Sequence, residues 1–246
     1  MRPRRLSGPP RPQAGESALS RACAQKLSEI VRLLIEAGAS VASTADRSPL
    51  HEAVWQSDGE SVEMLLNAGA NPSASFPGGR FSEPPIFAAM RKEPRILRAL
   101  LAAGASASAR NAQGQTPLHI IPSAPRDASE EKCRLLLLAG ADVAALSTDG
   151  NTPMHDIVEN SHSDHLISLL LGHGAPIDAV NEDGKTPLIA ATYFDMFENM
   201  LVLLRAGARL DLETAAGMTA MHYAAEEGGL HVAILSAFGA SVEPEE

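Results

Sequence analysis

Near-copies of one short pattern constrain this chain more than any other feature. A leucine-rich segment closing on glycine and alanine recurs as VRLLIEAGA (31–39), EMLLNAGA (63–70), RALLAAGA (98–105), RLLLLAGA (134–141), SLLLGHGA (168–175), LVLLRAGA (201–208) and ILSAFGA (234–240). Its glycines are Gly38, Gly69, Gly104, Gly140, Gly174, Gly207 and Gly239, spaced by 31, 35, 36, 34, 33 and 32 residues. A second mark precedes each of the later glycines: SPLH (48–51), PPIF (84–87), TPLH (116–119), TPMH (152–155), TPLI (186–189) and TAMH (219–222), with SALS (17–20) at the place of a first, degenerate copy. Two independent marks recurring in one phase identify a repeat architecture. Each unit is too small to bury its apolar side alone and does so against its neighbours.

Each mark has a physical task. Thr or Ser followed by Pro starts a helix, because the hydroxyl can accept an orphan backbone N–H and Pro suits the first helical position. Thr116–Pro117, Thr152–Pro153 and Thr186–Pro187 fit this. The glycine before alanine ends a second helix in the left-handed conformation. Apolar residues between the marks recur at helical spacing, as in Ile30, Val31, Leu33 and Leu34. The predicted unit is helix, tight turn, helix and then a polar extended hairpin such as DVAALSTDGN (142–151). A hydrophobic fraction of 45% with only 4% aromatic residues suits closely packed helices.

On these residues the chain resembles the ankyrin-repeat family, whose helix start reads T-P-L-H-x-A with a period near 33 residues. The segment GNTPMHDIVENSHSDHLISLLLGHGAPIDAVNEDGKTPL (150–188) follows the family pattern throughout. The resemblance implies an all-α solenoid of about seven helix-turn-helix units joined by β-hairpin-like loops. The repeats are expected to start near residues 17, 48, 84, 116, 152, 186 and 219, within a domain spanning 17–246. Departures are expected where the pattern breaks. PPIF places Pro84 for Thr and Phe87 for His, and Phe76-Pro77-Gly78-Gly79 predicts a wider finger before it. In HIIPSAPRDASEEKC (119–133), Pro122 and Pro125 are expected to end a first helix early. Ile189 for His and Ala220 for Pro weaken single helix starts by about 1 kcal/mol each.

Charge divides the chain. Residues 1–134 hold 17 Lys/Arg and 13 Asp/Glu, whereas residues 135–246 hold 3 Lys/Arg and 17 Asp/Glu. The acidic half would repel phosphates and suits a basic partner. Residues 1–16 carry Arg2, Arg4, Arg5 and Arg11 among prolines, with no apolar run after them, and are expected to form a disordered basic arm. No stretch is long and apolar enough for a membrane helix. Cys23 and Cys133 are too few for a disulfide framework or a thiolate metal site and read as buried hydrophobes in a reducing compartment, the cytoplasm, with the nucleus as the alternative.

Three constellations imitate chemistry. His51-Glu52 opens an H-E-x-x-H pattern, but Trp55 stands where the second histidine is needed. Gly184-Lys185-Thr186 resembles the end of a P-loop, but Ala179 stands where its first glycine is needed. His155, Asp156, His162, Asp164, His165 and His173 crowd one stretch. There the resemblance implies that His155 hydrogen-bonds its own repeat's turns, and His173 sits beside a helix-ending glycine. No catalytic residue, metal or cofactor is expected.

The resemblance implies that partners bind the concave side, built from hairpin tips and first helices. Carried over by position, the helix-end candidates are Trp55 and Gln56, Arg91 and Lys92, Glu159 and Asn160, Tyr193 and Phe194, and Glu226 and Glu227. The hairpin candidates are Phe81, Gln115, Asp149, Asn151, Glu182 and Lys185. The chain is expected to act as a non-catalytic scaffold or adaptor for another protein, one with a basic segment, as a monomer or within a larger assembly. A second reading makes it a targeting subunit or fragment of a larger enzyme or regulatory protein. A third makes it a nucleic-acid-associated regulator acting through the basic arm.

Overall fold

The computed structural model describes residues 17–43, 48–76, 82–121 and 126–239, apart from the side chains of residues 126, 127 and 227. The expected basic arm and the wider finger at residues 77–81 lie outside the described residues. The chain divides into two compact units, Met1–Ala88 and Ala89–Glu246. Among the described residues the regular elements are helices, with no strand.

In the first unit, α1 (Ala18–Ala24) and α2 (Ser28–Glu36) form one helical pair and α3 (Pro49–Trp55) and α4 (Gly59–Asn67) the next. The first helices α1 and α3 pack together, as do the second helices α2 and α4. Helix α5 (Pro85–Ala89) spans the boundary between the units. In the second unit follow α6 (Pro94–Ala102), α7 (Arg126–Leu138), α8 (Pro153–Val158), α9 (Asp164–Gly172), α10 (Pro187–Tyr193), α11 (Phe197–Arg205), α12 (Ala220–Glu227) and α13 (Gly229–Ala237). There α8, α10 and α12 form a row of first helices, and α6, α7, α9 and α11 a row of second helices.

Why the second helices pack follows from their pattern. The leucine four residues before the terminal glycine is fully buried at Leu65, Leu100, Leu136, Leu170, Leu203 and Leu235. Burying each contributes about 1.5–3 kcal/mol. The glycine then turns left-handed, with φ from 78° at Gly140 to 94° at Gly239. This lets the next N–H reach back into the helix, as when Ala105 donates to the Leu100 carbonyl at 2.9 Å and Ala208 to that of Leu203 at 3.0 Å. The fourth repeat departs further than a first helix ended early. Thr116–Ile121 forms turns rather than an α-helix, and the following Pro122 and Pro125 lie outside the described residues.

The hairpins are fingers of turns. Four of them share a backbone bond across the base: Asn111 N–H to Gln115 at 3.0 Å, Ser147 to Asn151 at 2.9 Å, Asn181 to Lys185 at 3.1 Å and Thr214 to Met218 at 2.9 Å. Neighbouring fingers join tip to tip, with Thr148 N–H donating to Gln113, Glu182 to Asp149 and Ala215 to Asp183 at 2.9, 3.1 and 3.2 Å. The tight turns between helices hold residues that the pattern did not mark. Lys26, Ser57, His162 and Asp195 are left-handed, at φ of 56–61°.

The motif histidines tie helix starts to the following finger. Thr116 and Thr152 donate their N–H to Nδ1 of His119 and His155 at 3.0 and 3.1 Å. Nδ1 is therefore the acceptor, and the proton sits on Nε2. His119 Nε2 then donates to the Asn151 carbonyl at 3.0 Å, and His155 Nε2 to that of Lys185 at 3.0 Å. The threonine hydroxyls lie 2.9 Å from the same Nδ1 atoms. At Thr186, where Ile189 replaces histidine, the hydroxyl instead caps the helix by accepting the Ile189 N–H at 3.2 Å.

Burial holds His51, His119 and His155 below the ordinary histidine pKa of 6.5. In each, the unfolded chain therefore takes up a proton before the folded one does. Their contribution is complete above about pH 6.5 and is lost as pH falls from there towards the folded values. Asp156 works against them. Burial raises its carboxyl from 3.8 to about 6, so the folded chain takes up that proton first and gains stability on acidification. The denaturation midpoint is expected to fall between about pH 7.5 and about pH 5.5, and to fall more steeply in Asp156→Asn. Urea titrations at each pH check this, and a flat profile in both proteins would contradict the histidine assignment.

Candidate protein-binding surface

Trp55 and Gln56 belong to the first unit. Trp55 ends α3 and is 49% exposed, whereas Gln56 is the half-buried C-cap, its N–H donating to the Glu52 carbonyl at 2.9 Å. Phe81 lies outside the described residues, as does the Glu227 side chain. The other candidates belong to the second unit.

There they separate into internal and outward groups. Gln115 sits at a finger base and donates to Asp156 Oδ2 at 3.3 Å. Asn151 donates to Asp156 Oδ1 at 2.9 Å and accepts from Asn181 Nδ2 at 2.8 Å. Asn160 donates its amide to the Asp156 carbonyl at 2.9 Å, while its own carbonyl accepts from Asn199 at 2.7 Å. These three amides are engaged in holding the fingers and helix ends together. Asp149, Glu182 and Glu226 are exposed. Arg91 is exposed and Lys92 half-buried in the turn after α5, where Lys92 N–H donates to the Ala89 carbonyl at 2.9 Å.

Three candidates meet at the end of α10. Tyr193 and Phe194 are 47% and 40% exposed, and their rings meet edge to face at 5.1 Å. Tyr193 also meets Tyr223 edge to face at 5.7 Å. The Lys185 ammonium lies over the Tyr193 ring, 4.6 Å from its centroid. Glu159 caps α8 nearby. Its carboxyl is raised from the usual range by burial and by Asp156, with the Lys185 ammonium acting the other way. Lone exposed apolar residues are ordinary, but an edge-to-face aromatic cluster with charged neighbours is the composition of an interface hot spot.

Several residues of this region escaped the pattern. Leu146 and Val180 occupy equivalent places on two joined fingers and are 51% and 55% exposed. Both stand two residues before a tip N–H that joins neighbouring fingers, which is the spacing that could have found them. Tyr223 was hidden inside the regular motif. Lys132 looks like an ordinary surface lysine in sequence, yet it is fully buried and donates to the Met90 carbonyl at 2.7 Å.

The histidines and cysteines singled out in the sequence have structural surroundings. His155 is engaged at both ring nitrogens, and His173 Nδ1 lies 2.9 Å from the Leu169 carbonyl. Burial pushes the Cys23 and Cys133 thiols up to about 12, away from the reactive thiolate. Among the described residues, no group of three His, Cys, Asp or Glu could hold a metal ion, and no helix is long and apolar enough to cross a membrane.

Comparison with known proteins agrees with the repeat geometry. A family model described as ankyrin repeats (three copies) matches residues 6–75, 123–214 and 158–243. Among solved structures, the chain is similar to the ankyrin repeat domain of Bcl-3, described as a unique member of the IkappaB protein family. That match has 29% identity and a TM-score of 0.74, covering 91% of this chain and 100% of that one. It is similar in fold to the human ASB11 ankyrin repeat domain, at 24% identity and a TM-score of 0.74, covering 92% and 100%. No curated protein matches the chain. With paired helices, glycine-ended second helices and fingers tied by histidine, the chain belongs to the ankyrin-repeat family.

Proposed function

We propose that this protein is a non-catalytic scaffold or adaptor that binds a basic segment of another protein across the fingers and first-helix ends of its acidic half. Ankyrin repeats are protein-interaction modules. The observation that carries the finer reading is the half-exposed Tyr193–Phe194 pair at the end of α10, in a region where Asp149, Glu182, Asp183 and Glu226 are also exposed. Aromatic anchors supply contact area at small entropic cost, and the acidic excess of residues 135–246 steers a cationic partner. Two free, buried cysteines suit a reducing compartment, which we take to be the cytoplasm.

The test uses a partner recovered by affinity capture from the native cell and then purified. Combined Glu182→Lys and Glu226→Lys is expected to weaken binding about tenfold or more and to flatten its salt dependence. Tyr193→Ala with Phe194→Ala is expected to weaken it at every salt concentration. Unchanged affinity in both variants would overturn the reading.

A further inference from the structure

Lys185 is one of only three Lys/Arg residues in 135–246, with Arg205 and Arg209. Its ammonium lies 4.6 Å from the Tyr193 ring centroid and 3.7 Å from Asp183 Oδ2. The ring is held in place by Phe194 and Tyr223 at 5.1 and 5.7 Å. An aromatic face beside a carboxylate attracts cations in general, through the ring quadrupole and through Coulomb attraction. In the free protein the cation there is the protein's own.

Only the side chain of Lys185 needs to move for that place to be vacated. Its N–H donates to Asn181 Oδ1 at 2.9 Å, and its carbonyl accepts from Asn181 N–H at 3.1 Å and from His155 Nε2 at 3.0 Å. The ammonium reaches out from this fixed backbone on a flexible stem, and its side chain is 24% exposed. A guanidinium is better suited to the same surroundings. It is planar, more weakly hydrated than an ammonium, stacks on aromatic rings and offers paired donors to a carboxylate.

We propose that Tyr193 and Asp183 form a subsite for an arginine of the partner's basic segment, and that Lys185 fills this subsite until the arginine displaces it. This rests on the basic-segment reading above and adds the residue recognised and the side chain that guards its place. Lys185 competes with the partner, so its removal strengthens binding.

The experiment is fluorescence anisotropy on the full chain, with a labelled, end-capped Arg-Gly repeat peptide and its citrulline counterpart, which keeps the shape without the charge. Lys185→Met is expected to tighten binding of the arginine peptide about 3- to 10-fold. Lys185→Gln serves beside it, so that a folding defect in one variant does not decide the result. Arg209→Met removes a cation from the same half, one paired with Asp211, and is expected to change affinity less than about twofold. Adding Tyr193→Leu to Lys185→Met is expected to cancel the gain, and the citrulline peptide is expected to respond to neither change. A gain no larger than that of Arg209→Met, or one that survives Tyr193→Leu, overturns the subsite. If Glu182→Lys with Glu226→Lys still weakens the peptide in that event, the broader reading stands. An arginine peptide that binds neither the wild type nor Lys185→Met overturns both.

Discussion

Replacing Gly184 with alanine is expected to cost about 3 kcal/mol of stability, whereas the same change at Gly217 is expected to cost about 1 kcal/mol. Both glycines are left-handed, with φ of 74° and 76°, so the conformational cost of a side chain is shared. The difference lies in what surrounds them. A Cβ on Gly184 would lie 2.7 Å from the Ala215 nitrogen and 3.0 Å from Thr214 backbone atoms, while one on Gly217 would meet nothing within 4 Å. The Ala215 N–H is the group that donates to the Asp183 carbonyl to join the two fingers. Alanine at 184 therefore has to push the next finger away and loosen that bond. Urea denaturation of the two variants, followed by circular dichroism, gives the comparison directly. Equal losses would mean that finger stacking is not what demands glycine at 184.

Lys132→Glu is expected to destabilise the second unit by about 4 kcal/mol or more. The wild-type amine is fully buried on α7 and donates to the Met90 carbonyl at 2.7 Å. A carboxylate there would be buried opposite an acceptor, with no donor to meet it. Lys132→Met is expected to cost only about 1–2 kcal/mol, since it keeps most of the volume and loses one hydrogen bond. Other repeats show that the place tolerates apolar residues. Eight residues before each terminal glycine, Ile96 and Leu166 are buried, and Asn199 is buried while donating to the Val158 and Asn160 carbonyls. Lys132 and Asn199 thus do one task, satisfying the carbonyls that end the preceding unit's first helix. Burial also lowers the Lys132 pKa from 10.5, so the unfolded chain binds this proton more readily. The stability that wild type holds over Lys132→Met should therefore grow as pH climbs towards 10.5, a difference in which the opposing fall from the Cys23 and Cys133 thiols, raised from 9.0 to about 12, cancels. Matching losses for Glu and Met, measured by denaturant midpoint, would show that the amine is not confined as described.

The contrast between these two positions shows how far sequence reasoning reaches. Gly184 stands two residues before the helix start at Thr186, as Gly114, Gly150 and Gly217 stand before Thr116, Thr152 and Thr219, and periodicity reports what every copy of a unit must do for itself. The helix starts at Thr152 and Thr186, the glycine-ended second helices and the buried leucines were legible for that reason. Lys132 does something particular to its place in the stack. A lysine on an amphipathic helix reads as solvated until the preceding helix end is known to lie against it.

The candidate surface divides in the same way. Tyr193 and Phe194 were picked out by position and are exposed. Gln115, Asn151 and Asn160 were picked out by the same rule, but their amides are taken up by Asp156 and by neighbouring backbone. Position along a repeat states which way a residue can point. It does not state whether a neighbouring repeat supplies a hydrogen-bond partner some 30–40 residues away in sequence. Leu146 and Val180 were missed because each is unremarkable in its own finger and notable only when the fingers are joined.

By itself, the sequence determined the unit, because a helix start, a helix stop and a buried leucine are local demands of backbone geometry and apolar spacing. It also determined the acidic excess of the second half, since formal charge is a sum over residues. The tertiary structure alone decided which polar groups are used up inside the stack and which remain for a partner, because contacts between repeats depend on distances that no single repeat contains. Lys185 is the clearest case: its place in the finger was readable, but its position over Tyr193 follows from the meeting of a finger with a helix end.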